Sequence, residues 1–279
     1  MTKLPSRQNP AQVETKIMLI YKDITALSRD THKELRLDPE FTFDFAANTQ
    51  WVPLSGVEFY KAAIHYPIVF LKEGDKLMPI ALLSLQANHN EFVGANMAWR
   101  PNSYVPAFVR RYPFVLADLG AAKHELTVCI DQACPRWNEE KGVRLFQENG
   151  ENTRFLDEMI SFMDDFRLEM QRTAQFVETL TRLELLVERT VNIQSVEGAT
   201  LALQNIYLVD EAKFATLSNN DLQDLHQKGM LGWIYAHLMS LATLPPLLSH
   251  ITQASNGQAQ NKPQSASKNS PRGRVQELA

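Results

Sequence analysis

The chain predicts an α+β fold in which duplicated helix-hairpin units form a mostly antiparallel sheet, followed by a helical second half. Three observations carry the prediction. An A-N-x-x-W-x-P unit occurs twice, at residues 47–53 and 95–101. Each copy leads through a short amphipathic stretch to Tyr-Pro and an apolar run, Tyr66-Pro67-Ile68-Val69-Phe70 and Tyr112-Pro113-Phe114-Val115-Leu116. From residue 152 to 189 there is no Gly or Pro, and apolar residues recur at the spacing of one helical face. An internal repeat outranks other signals because missing it misassigns the whole fold.

Taken in order, the first apolar run is Ile17–Tyr21. Phe41, Phe43 and Phe45 then alternate with polar residues, the period of a half-buried strand. Leu54, Val57, Phe59, Ala62 and Ala63 fit one face of a helix that must stop before Tyr66-Pro67, because a residue preceding proline avoids helical dihedrals. Residues 105–111 stop the same way. After each Tyr-Pro, two apolar runs around a Gly-containing link predict a β-hairpin. The repeat units are thus residues 47–85 and 95–130, and Trp51 and Trp99 are expected in matching places against their own hairpins. In residues 152–189, Phe155, Met159, Phe162, Phe166, Met170, Val177 and Leu180 make a helical stripe long enough for two helices or one bent helix. A third hairpin is expected over 190–195 and 199–209, turning at Glu197-Gly198. Helices follow over 210–217, 220–228 with Asn219 or Asn220 as N-cap, and 230–242.

Composition bounds the function. With 279 residues, 44% of them hydrophobic and 22% charged, the chain suits a single globular domain over 1–251. Residues 252–279 are polar and lack aromatics, the composition of a disordered tail. That tail carries +3 of a total of −4, which leaves −7 on the remainder. An acidic body gives no electrostatic footprint for nucleic acid. No uncharged apolar stretch approaches the roughly 18 residues that suggest a membrane span, so no integral membrane protein is expected. The first residues lack the apolar core of a signal peptide, and Cys129 and Cys134 are too few for a disulfide framework, so a cytoplasmic location is expected.

The chemistry is sparse. The seven histidines, His32, His65, His89, His124, His226, His237 and His250, show no H-x-x-x-H or H-x-H spacing, and no metal site is expected. Eleven glycines form no G-x-G-x-x-G or Walker loop, so no nucleotide cofactor is expected, nor any other. Cys129 reads as a small core residue. The richest cluster runs from Trp99 to Pro113 and holds Arg100, Tyr104, Phe108, Arg110, Arg111 and Tyr112. Guanidinium forks recognise carboxylate or phosphate and aromatics can wall a pocket; alternatively the aromatics are core and the arginines pair with acids. Where the second copy has Arg110-Arg111 before Tyr-Pro, the first has Ile64-His65. The residues that differ between copies, His65, Arg110 and Arg111, are the better binding candidates, and the aromatics Trp99 and Tyr104 beside the arginines complete the candidate site residues. No catalytic residue is assigned.

At His65-Tyr66-Pro67-Ile68-Val69-Phe70, Trp99 through Ala107, Arg110 through Phe114, Val128-Cys129-Ile130-Asp131, Gly142-Val143-Arg144-Leu145-Phe146 with Gly150, and Leu231 with Ile234 through Leu238 and Ser240, the chain resembles the SapC family of bacterial proteins, over about residues 18–248. The resemblance implies a link to the bacterial surface layer or cell envelope and carries no established reaction. The expectation is therefore a soluble accessory or binding protein, with a small anionic ligand or a protein as partner. One alternative is an enzyme with a dispersed site around His65, Arg110, Arg111 and Asp131; another is a structural surface-layer component.

Overall fold

The structure is a computed structural model describing residues 19–118, 126–194, 200–245 and 247. The expected tail, the Glu197-Gly198 turn and Gly120 lie outside the described residues.

In chain order, β1 (Ile24–Ala26) and β2 (Arg36–Leu37) precede a 3-10 turn at Asp44–Ala46. Next come β3 (Trp51–Pro53), a 3-10 turn at Gly56–Glu58 running into α1 (Phe59–Ala62), and the hairpin β4 (Ile68–Glu73) and β5 (Lys76–Leu82). The second unit has α2 (Ala107–Arg110), β6 (Phe114–Asp118) and β7 (Leu126–Asp131). Two short strands follow, β8 (Trp137–Asn138) and β9 (Val143–Arg144), then the long helix α3 (Arg154–Arg182). The hairpin β10 (Leu186–Gln194) and β11 (Thr200–Val209) leads to α4 (Glu211–Ala215), α5 (Asn219–Gln227) and α6 (Leu231–Ser240).

Among the described residues every strand pairing is antiparallel, in three sheets ordered β10-β11-β4-β5-β3, β1-β7-β6 and β8-β2-β9. The α+β class follows, with each Tyr-Pro hairpin where the sequence predicted it. The β4–β5 link is the two-residue Gly74-Asp75, and Gly74 takes φ +60, which only a residue without Cβ adopts freely.

The two halves of the repeat differ in what flanks the hairpin. Trp51 opens β3 and pairs with Leu82 beside its own hairpin. Trp99 makes only an isolated bridge to Val93, and the place beside β7 is taken by β1, with Ala26 opposite Cys129. Trp99 instead donates its indole N–H to Tyr66 Oη at 3.1 Å, in the first copy's hairpin. The expectation of matching tryptophan positions is therefore corrected, while the short helix, Tyr-Pro and hairpin recur in both halves.

Three other expectations change. Phe41, Phe43 and Phe45 form no strand: Phe45 stacks on Tyr112 at 3.9 Å and Phe43 packs 5.3 Å from Trp99, so a loop holds the aromatic cluster without a pairing partner. The 152–189 stripe is a single helix ending at Arg182; its last residues belong to the turn and to β10. The N-cap of α5 is Ser218, whose hydroxyl accepts from Asp221 N.

The main core lies between the five-stranded sheet, α1, α3 and α6, around Tyr66, Phe59, Phe70 and Phe176, all fully buried. A Cβ on Gly56 would collide with the Trp233 indole, so glycine permits this close approach of α6. Thr173 Oγ1 of α3 accepts the Gly56 N–H at 2.8 Å, fixing the long helix over the first unit. Residues Leu116, Val128, Met159, Ile160 and Met163 show α3 also covering the β6–β7 sheet, so one helix spans both hairpins.

Candidate functional site

The helix before each Tyr-Pro is positioned by one buried carboxylate, Glu58. Its Oε2 accepts from Ser55 N at 3.0 Å and Ser55 Oγ at 2.7 Å, closing a capping box over the 3-10 turn. Its Oε1 accepts from Tyr104 Oη at 2.9 Å and from Ala107 N, at the start of α2, at 2.7 Å. Four donors thus satisfy a buried charge, and the same side chain ties α1 to α2. Sequence reasoning passed over Glu58, although Ser55-Gly56-Val57-Glu58 has the capping-box spacing.

Trp99, Tyr66, Tyr104 and Arg110 form a connected chain. Tyr66 Oη receives the Trp99 indole N–H and donates to the Tyr104 carbonyl. Burial pushes the Tyr66 phenol well above its usual range. Tyr104 is pushed up to about 12, first by burial and then by the Glu58 charge, so its phenol is a fixed donor. Arg110, exposed, donates to the Val105 carbonyl at 3.1 Å and to Tyr104 Oη at 3.4 Å, and lies 4.9 Å from the Phe162 ring. Trp99 is buried beneath this network.

Arg111 points elsewhere. It is 9% exposed, and its guanidinium lies against the rings of Phe108 at 4.3 Å, Phe166 at 5.3 Å and Tyr21 at 5.5 Å. Its Nε is buried without a hydrogen-bond partner, and among the described residues it forms no ion pair. Burial raises the pKa of the Tyr21 phenol and the Arg111 charge opposes that rise. Arg111 also lines a cavity of ≈ 460 Å³ between α3, the start of β6 and the edge of β3, together with Phe108, Met163, Phe166, Met170 and Met78.

Asp131 is no partner for Arg111. It is fully buried at the end of β7, where its carboxylate accepts from the backbone N–H of Lys22, Asp23 and Ala133 at 2.9–3.0 Å. His65 is half-buried, with its pKa lowered by burial, and its ring neighbour is Tyr66. Among the described residues no hydrogen bond, ion pair or ring contact joins His65 to Arg110, Arg111 or Asp131. The structure therefore connects Trp99, Tyr104 and Arg110 through hydrogen bonds, sets Arg111 on a cavity beside Tyr21, Phe108 and Phe166, and leaves His65 apart. The same cavity holds two α3 residues, Phe166 and Met170, that the helical stripe marked only as packing, and Met163, which the stripe did not include.

No group of three or more His, Cys, Asp or Glu among the described residues is arranged to hold a metal. Cys129 and Cys134 are buried and form no disulfide. No helix among the described residues is long and apolar enough to cross a membrane.

The family model described as SapC matches residues 27–247. The chain belongs to the SapC family. The match begins just after β1 and spans both hairpin units, α3 and the closing helices, so it rests on most of the fold and not on one motif. No curated protein and no solved structure matches the chain.

Proposed function

We propose that this SapC protein is a non-catalytic cytoplasmic accessory protein that binds a small anionic ligand in the service of surface-layer or cell-envelope production. Family membership supports the envelope context. One observation supports the binding: a guanidinium buried to nine-tenths on the wall of an apolar cavity, with no carboxylate paired to it among the described residues and an unsatisfied Nε–H. Burying an unpaired charge costs several kcal/mol, and a fold retains such a group where an incoming anion completes it. The cavity volume falls inside the range of about 300–1,000 Å³ typical of small-molecule sites.

Thermal unfolding of the full chain with inorganic phosphate, benzoate or dodecanoate tests this reading, with Arg111→Met as the comparison. At least one anion should raise the Tm of the wild type. At a hundredfold excess over Kd, binding adds about 2.7 kcal/mol, which for a domain of this size is roughly 5–10 °C. The variant should show no such rise. Equal shifts in both proteins, or none with any of the anions, would overturn the assignment.

A further inference from the structure

Building on the anion-binding reading, we infer that the ligand is a single-chain fatty carboxylate, its headgroup on Arg111 and its hydrocarbon tail laid along α3. Three features of the cavity point to this class. Apart from Arg111, its polar lining among the described residues is Gln171 and Arg167, and Arg167 is already engaged by Asp164, with Nε and Nη2 at 2.9 and 2.6 Å from Oδ1. Among the described residues one cation is thus available to a ligand that otherwise meets mostly carbon and sulfur, which fits one anionic end and a long apolar body.

The second feature is the kind of apolar wall. Met78, Met163 and Met170 line it, and thioether side chains adapt to a flexible partner where branched or aromatic walls select a rigid one. The third is shape. A second depression shares Leu116, Leu126 and Arg167 with the cavity and continues beside Ile160 and Ser161 toward Asp157. Together the two follow α3 from Ala174 to Asp157, about 26 Å of helix at 1.5 Å per residue. The main cavity alone accommodates roughly 15 heavy atoms, counting ~30 Å³ for each as for a water molecule.

The test is isothermal titration of the full chain, below micelle-forming concentrations, with saturated monocarboxylates of increasing length, with dodecanol as the neutral probe, and with acetate and inorganic phosphate as small anions. Affinity should tighten up to about fourfold per added CH₂ until the trough is full, the fold-change equivalent to ~0.8 kcal/mol per buried methylene. Arg111→Met should weaken dodecanoate at least tenfold and leave dodecanol unchanged. Ala174→Phe, an exposed position on the cavity rim away from Arg111 in sequence, should shorten the preferred chain while leaving short carboxylates unaffected. Binding of phosphate or acetate as tight as that of dodecanoate, with no length dependence, would refute the fatty carboxylate and leave the anion site standing. Dodecanol binding as tightly as dodecanoate, with Arg111→Met indifferent to both, would refute the anion site as well. Absence of binding by every probe would refute both.

Discussion

Replacing Arg111 by Met should stabilise the protein while weakening anion binding at least tenfold. The methionine side chain ends at the level of Nε, so its terminal methyl replaces the unsatisfied N–H and meets the near edges of the Phe108, Phe166 and Tyr21 rings that now surround the guanidinium. The loss is the cation–π attraction to three rings, about 0.5–2 kcal/mol each depending on desolvation, or roughly 4 kcal/mol together. The gain is relief of an unpaired buried charge, several kcal/mol, and of an unsatisfied Nε–H worth about 1–3 kcal/mol. The difference favours methionine by on the order of 1–2 kcal/mol, a rise of roughly 2–8 °C in Tm. Urea denaturation without ligand measures it directly, with an unchanged slope showing that only stability has moved. A loss of 2 kcal/mol or more would refute the reasoning, because it would make the guanidinium a satisfied structural element rather than a group held in readiness.

Trp99→Ala should cost about 3–5 kcal/mol, since a buried indole and its bond to Tyr66 are both lost; chemical denaturation reads this. Glu58→Ala should cost a similar ~3–5 kcal/mol, because Ser55 N, Ala107 N and Tyr104 Oη lose their acceptor in a buried place, and Glu58→Gln should recover part of it. His237 is buried and neutral: Val209 N–H donates to Nε2 at 3.1 Å, so Nδ1 carries the proton toward the Ile68 carbonyl at 2.8 Å. Burial lowers its pKa from 6.5 to about 4, so between those values the unfolded chain binds the extra proton. Its contribution is therefore full above pH 6.5 and declines as pH falls toward 4, by about 3 kcal/mol in all. Stability measured across that window should fall less steeply in His237→Gln.

Local signals carried much of the fold. Tyr-Pro followed by paired apolar runs specified both hairpins, because proline ends the preceding helix and the runs have no other way to bury themselves. The stripe from Phe155 to Leu180 specified α3, although its end could not be told from the apolar start of β10. What failed depended on partners distant in sequence. The alternation of Phe41, Phe43 and Phe45 imitates a strand, but their neighbours are Tyr112 and Trp99, more than fifty residues away. The A-N-x-x-W-x-P copies look equivalent, yet β1 takes the sheet position that Trp99 would have needed.

The candidate site divides in the same way. Residue type singled out Arg111 and its neighbours. Whether it would find a counter-ion depended on Asp131, which three backbone amides had already claimed, and on Phe166 and Met170, which α3 brings across from more than fifty residues on. Glu58 was legible in its capping-box spacing, but its second role, holding the start of α2, is a contact over 49 residues that no local pattern encodes.

The most direct test of the anion site is NMR of dodecanoate labelled with ¹³C at the carboxyl carbon and bound to the full chain. A carboxylate held by a buried guanidinium stays ionised, because the adjacent cation lowers its pKa. The bound signal should therefore hold its position from pH 7 down to pH 5 in the wild type, whereas dodecanoate bound to Arg111→Met should be at least tenfold weaker and should titrate within that range. A bound signal that holds its position in Arg111→Met as it does in the wild type, or that titrates in the wild type as the free acid does, would contradict the account.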